Sequence, residues 1–211
     1  VDFEFPTEEG KPYKSSGGKM VESDIGMIPK SWSIGSYNDL ADVFSGKGLK
    51  RDCFAEDGEY PVLGANGEIG RTNSFLYNER LILTGRVGTL GQVYLTSGRV
   101  WVSDNVLISR PKSKENYYYA YFVLKSFDIS SLNRGSTQPL VTQTDLKNQK
   151  AIIPDQKTMC TFEHVVTTLY AKVDQNHQQN ILLSKIRDTL LPRLLSGKVR
   201  VPVLKESVEV Q

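Results

Sequence analysis

The feature that most constrains this chain is where its breakers of regular structure fall. Sixteen of 17 glycines lie at or before Gly135, the last is Gly197, and proline is missing from Asp155 through Leu191. Glycine and proline interrupt helices and strands more strongly than any other residues. A chain with this distribution divides into a turn-rich body and one uninterrupted helical segment. Within that segment apolar residues step by three and four: Met159, Phe162, Val166, Leu169 and Val173. The same register continues through Asn176, Asn180, Leu183, Arg187, Leu190 and Leu194, so eight of eleven positions are apolar. Alternation sustained over about five heptads is the pattern of a coiled-coil seam. Asp155, directly after Pro154, is placed to N-cap the helix. Pro192 is expected to end or kink it, and Gly197 to cap it. From Asp155 to Leu191 the rod would run about 55 Å. That is too long to bury its stripe on a small sheet of its own, so a partner helix is expected along the seam. Asn176 and Asn180 either set the register of that pairing at a cost in stability or turn to water.

Four segments follow: a linker over 1–26, a body over 27–154, the spacer helix over 155–196 and a tail over 197–211. The linker is rich in Gly and Ser and has 3 basic and 6 acidic residues. The body alternates short β-prone runs with glycine turns. Arg80–Thr84, Gly91–Thr96, Arg99–Val102 and 104–110 read as strands, and 116–127 reads as a helix through Tyr117, Tyr121, Leu124 and Phe127. Gly135 to Thr144 reads as a loop, and Leu146 to Ile153 as a last short element. Tyr117, Tyr121, Trp32 and Trp101 are assigned to the core. The fold class is α+β, a mixed β body followed by a long helix.

Net charge is only +2, and hydrophobic residues make up 39% of the chain, which excludes a polycation and a wholly disordered chain. The longest nearly apolar run, Tyr117 to Leu124, falls far short of the roughly 18 residues of a membrane helix. With two cysteines, Cys53 and Cys160, and no basic-then-apolar leader, the expected compartment is the cytoplasm.

Catalytic motifs are missing or incomplete. Phe44-Ser-Gly-Lys-Gly48 has the spacing of an adenine-methyltransferase cofactor loop, but lacks the preceding apolar strand, and no D/N-P-P-Y/F motif occurs. Pro154-Asp155 opens a nuclease-like PD pattern that no later (D/E)-x-K completes, and no phosphate-binding G-x-x-x-x-G-K-[ST] loop exists. The two G-x-x-G pairs, from Gly67 and Gly88, read as turns between strands. Cys160 and His164 share a helical spacing, but a zinc site needs two further ligands. The chain is expected to be non-catalytic and to hold no metal.

Five motifs carry a family resemblance: Gly26-Met-Ile-Pro-Lys-Ser-Trp32, Tyr60-Pro-Val-Leu-Gly-Ala-Asn-Gly-Glu-Ile-Gly70, Gly85-Arg-Val-Gly-Thr-Leu-Gly-Gln-Val93, Gly135-Ser-Thr-Gln138 and Leu190-Leu-Pro-Arg-Leu-Leu-Ser-Gly-Lys198. Their order and spacing over nearly the whole chain resemble the specificity subunit of type I restriction–modification systems. The resemblance implies a target recognition domain like that of TaqI-type methyltransferases. It also implies a long helix that pairs antiparallel, fixes the gap between two half-sites and docks methyltransferase subunits. Such a subunit carries two recognition domains and this chain holds one, so it resembles either the C-terminal half of a full subunit or a natural half-length version, which as an isolated half would need to homodimerise. The implied partners are double-stranded DNA, methyltransferase subunits and, through the complex, restriction subunits, with no membrane. S-adenosylmethionine, ATP and magnesium would belong to the partner subunits. The competing reading is a coiled-coil interaction module that does not bind DNA.

DNA affinity comes mainly from phosphate neutralisation, and sequence reading from base edges. The candidate contacts are therefore loop residues of the body: Lys47, Lys50, Arg51, Asn66, Arg71, Arg86, Arg134, Gln138 and Gln143. Arginine can bond guanine in two places, and Asn or Gln can bond adenine. The helix-pairing residues are Met159, Phe162, Val166, Leu169, Val173, Asn176, Asn180, Leu183, Leu190 and Leu194.

Overall fold

Alternation with period two puts Leu81 and Leu83, Val100 and Val102, and Val106 and Ile108 each on one side of a strand. In the computed structural model these six residues and Leu63 form one buried cluster, against which Phe44, Tyr77 and Tyr94 pack. The structure describes residues 2–7, 9–88, 90–135 and 137–198. By contact density the chain divides into a body, residues 1–165, and a second unit that begins at Val166.

The body opens with the hairpin β1 (Met20–Ser23) and β2 (Gly26–Pro29), then β3 (Ser33–Ser36), the single turn α1 (Tyr37–Leu40) and β4 (Ala41–Ser45). The hairpin β5 (Tyr60–Gly64) and β6 (Gly67–Thr72) follows, with β7 (Tyr77–Asn78), β8 (Leu81–Gly85), β9 (Val93–Thr96), β10 (Arg99–Val102) and β11 (Val106–Pro111). It closes with α2 (Tyr117–Ser126), α3 (Gln143–Lys147), β12 (Lys150–Ile153) and the start of α4 (Gln156–Leu195).

Two four-stranded sheets, β4-β11-β8-β9 and β6-β5-β10-β7, contribute to the shared core. In the first, all pairs are antiparallel; in the second, β5 runs parallel to β10. All five residues of β8 are buried, as its near-continuous apolar run requires of a strand covered on both sides. β12 pairs with β3, joining the two ends of the body.

Several boundaries differ from expectation. The first 26 residues, read as a linker, contain β1, and Phe3 and Phe5 lie against the Trp32 ring at 5.6 and 4.9 Å. Aromatic stacking of this kind needs no periodicity and leaves none to see. Residues 146–153, read as one element, split into α3 and β12. The reason is the capping box of Thr142 and Asp145, which starts a helix inside the expected loop.

Helix α4 has its expected N-cap: the Thr158 N–H donates to Asp155 Oδ1 at 2.9 Å. It passes Pro192 and ends at Leu195, so the proline does not stop it. Gly197, at φ +69°, terminates it, donating its N–H to the Leu194 carbonyl. Forty residues give about 60 Å of rod. The predicted tail lies, from Val199 on, outside the described residues, as do Thr89 and Ser136 of two motifs above. Among the described residues no helix is long and apolar enough to cross a membrane.

Candidate nucleic-acid interface

Strand register gathers the loops. β4 ends at Ser45 opposite Leu107, Val106 lies opposite Gly85, and Thr84 lies opposite Val93. The turns after β4, after β8 and before β11 therefore share one rim. Val102 lies opposite Leu63, which brings the β5–β6 hairpin tip to the same end.

Backbone hydrogen bonds fasten these turns together. The Gly46 N–H donates to Val106 O at 3.1 Å, and that of Lys47 to Val102 O at 2.8 Å. The Trp101 indole N–H donates to Lys47 O at 2.8 Å, a role its core assignment did not foresee. A Cβ on Gly46 would stand 2.2 Å from Ser103 O, so only glycine passes there. The Arg86 N–H donates to Asn105 O at 2.9 Å, while Arg86 O accepts from Val141 and Pro139 O from Gly88, both at 3.0 Å. The segment 133–141 is thereby tied to the end of β8.

The nine predicted contacts fare differently. Lys47, Lys50 and Arg51 are exposed on a strap after β4, with no ion-pair partner among the described residues but with Asp104 beside Gly48. Asn66 is exposed at the hairpin tip. Arg86 is half-buried and its Nε is enclosed without a hydrogen-bond partner among the described residues. Gln138 is exposed on the tied segment. Three others have partners within the body, although Arg134 itself stays exposed. Arg71 lies towards the other end of the β5–β6 hairpin and donates to Gly58 O, Glu59 O and Glu68 Oε1 at 2.6, 2.8 and 3.0 Å. Arg134 pairs with the buried Asp145 carboxylate at 2.5 Å. Gln143, the first residue of α3, donates to Ser45 Oγ at 3.0 Å. Except for Glu68, three residues before Arg71, these partners lie outside the local sequence, so no local pattern announces them.

The helix residues also divide. Met159 and Val166 are buried, and Phe162 packs edge-on to Tyr119 and Phe122 at 5.9 and 6.0 Å. Met159 and Phe162 thus pack on the body. Beyond Tyr170 every described residue is exposed, including Val173 at 58% and Leu183 at 61%. Ile181, Leu182, Ile186 and Leu191 are exposed as well and widen the apolar arc past the predicted seam.

A cleft of about 1070 Å³ lies elsewhere on the body, lined by Phe3, Phe5, Trp32, Tyr119, Met159 and Phe162 among others. Its walls are mainly apolar and suit no polyanion. Among the described residues no group of three His, Cys, Asp or Glu is placed to hold a metal.

The model of the type I restriction modification DNA specificity domain matches residues 29–190. The type I restriction enzyme MjaIX specificity subunit of Methanocaldococcus jannaschii is 27% identical over 205 residues, 84% of this chain and 46% of that protein. The HindI specificity subunit of Haemophilus influenzae is 23% identical over 213 residues, 86% of this chain and 46% of that one. The crystal structure of a type I restriction–modification S subunit from M. genitalium superposes with TM-score 0.69 at 19% identity, covering 78% of this chain and 46% of that one. The chain spans about half the length of the curated relatives it matches.

Proposed function

The chain belongs to the type I restriction–modification DNA specificity family, and on that premise we propose that its body reads one half of a bipartite DNA target. The observation that carries this reading is the rim. Five turns or segments, distant in sequence, are fastened at one end of two sheets, with exposed cations and amides beside them. A rigid surface of donors is what base-edge and phosphate recognition requires. The chain itself is non-catalytic in this reading. Its methyltransferase partner supplies S-adenosylmethionine chemistry, and the restriction subunits supply ATP and magnesium.

The helix does the mechanical part. A rod of about 60 Å exceeds one DNA turn of roughly 34 Å. A second recognition unit at its far end therefore meets a half-site at fixed spacing. A second copy of this chain, paired through the exposed seam, would supply that second unit and rebuild the two-headed reader. The apolar arc left over by one paired helix is the surface for methyltransferase subunits.

Co-expression with the adjacent methyltransferase and mapping of methylated adenines in host DNA is the decisive experiment. A two-part, evenly spaced motif is expected. Absence of motif-specific methylation by an assembled complex would refute the DNA-reading role.

A further inference from the structure

The cations at the rim are of two physical kinds. Lys47, Lys50 and Arg51 are exposed on a strap whose backbone is pinned at Gly46 and Lys47. In water such side chains are fully hydrated and mobile, and they neutralise phosphate without reading sequence. Arg86 differs. Both its backbone N–H and its carbonyl are bonded, its side chain is half-buried, and its Nε is enclosed with no partner among the described residues. No carboxylate among the described residues bonds that Nε, whereas Arg71 and Arg134 are both paired with acids. Desolvating part of a guanidinium without a partner costs free energy. The enclosed Nε fixes the arm of the side chain, and the outer guanidinium nitrogens, which are not enclosed in this way, are the part left to meet fixed acceptors. A mobile solvated phosphate contact needs no such preparation, but a purine edge with two acceptors at set positions does.

We infer that the rim divides the work: Lys47, Lys50 and Arg51 grip backbone phosphates, and Arg86 reads a base through its fork, with guanine as the favoured base. This rests on the DNA-reading proposal above. It assigns roles that the family match does not.

The test uses the full chain assembled with its methyltransferase. Binding is measured to a duplex carrying the mapped target and to a scrambled duplex, each over a range of salt. The triple variant Lys47→Ala, Lys50→Ala, Arg51→Ala is expected to weaken both duplexes by the same factor. It should also make the log K against log salt slope shallower by about 2–3. Arg86→Lys keeps the charge and loses the fork. It should weaken the target duplex about 5–150-fold, leave the scrambled duplex and the slope unchanged, and relax one position of the methylated motif. Should Arg86→Ala lower the melting temperature, Arg86→Lys carries the test alone. The inference is overturned if the triple variant changes the preference between duplexes, or if Arg86→Lys matches wild type on the target. A wild-type complex that binds neither duplex overturns the DNA-reading proposal as well, which keeps the two failures apart.

Discussion

Gln143 Nε2 donates to Ser45 Oγ at 3.0 Å, joining the start of α3 to the end of β4 across 98 residues. An amide predicted to touch a base is thus turned inward and braces the rim. If Gln143 acts through Ser45, Gln143→Ala and Ser45→Ala should each weaken DNA binding slightly, and their effects should not add. A double-mutant cycle in the assembled complex should give a coupling of about 0.5–1.5 kcal/mol. Direct base contact would instead leave Ser45→Ala silent.

The start of α4 is latched by a second long-range contact. Glu163 is buried and accepts the Tyr118 backbone N–H with both carboxylate oxygens, at 2.9 and 3.1 Å. These atoms sit at the N-terminus of α2, where free N–H groups and the helix dipole favour an anion. Burial nonetheless pushes the carboxyl above its ordinary range. Glu163→Ala leaves a buried N–H without its partner and should destabilise the body by about 1–3 kcal/mol. Urea unfolding followed by tryptophan fluorescence reads it directly. A loss below a few tenths of a kcal/mol would show that water replaces the carboxylate.

The division into body and helix is legible in the sequence because it rests on local chemistry. Glycine and proline positions mark the segment, Asp155 marks its start, and Gly197 its end. Arg99–Val102 reads as a strand with its observed bounds because valine alternation is local too. What escapes is chemistry between distant residues. Neither the Arg71 fork on Gly58 and Glu59 nor the Arg134–Asp145 pair has a sequence signature, so both arginines look available. Met159 and Phe162 fit the heptad register, yet they pack as the core needs, since one apolar stripe can satisfy a body over its first turns and a partner over the rest. Asn176 and Asn180 are exposed, as is the apolar seam around them.

Acid should loosen the N-cap of α4. Burial works to raise the Asp155 carboxyl, but hydrogen bonds from the Thr158 N–H, the Ser31 hydroxyl and the Thr158 hydroxyl outweigh it and hold the group below its ordinary value. A depressed carboxyl contributes stability above its unfolded pKa of about 3.9 and loses it as pH falls through the folded value. Asp155→Ala should cost about 1 kcal/mol at neutral pH. Asp155→Asn should retain most of the cap and show a flatter acid limb than wild type. Thermal melts across a pH series distinguish these, and an Asn variant with an unchanged acid limb would remove Asp155 from the account.

Two substitutions on the same stripe of α4 should have opposite consequences. Leu183 is 61% exposed and Met159 only 6%. Burying a side chain such as Leu183 against a partner helix is worth about 1.5–3 kcal/mol, so a charge there should abolish pairing without touching the body. Leu183→Asp is expected to sediment as a monomer at concentrations where wild type self-associates, with an unchanged body melting transition. Met159→Ala removes a core side chain, costing about 2–5 kcal/mol. It should lower the body's melting temperature while leaving self-association intact. A wild-type chain that stays monomeric at high concentration, without its methyltransferase, would assign the exposed seam to that subunit instead of a second copy.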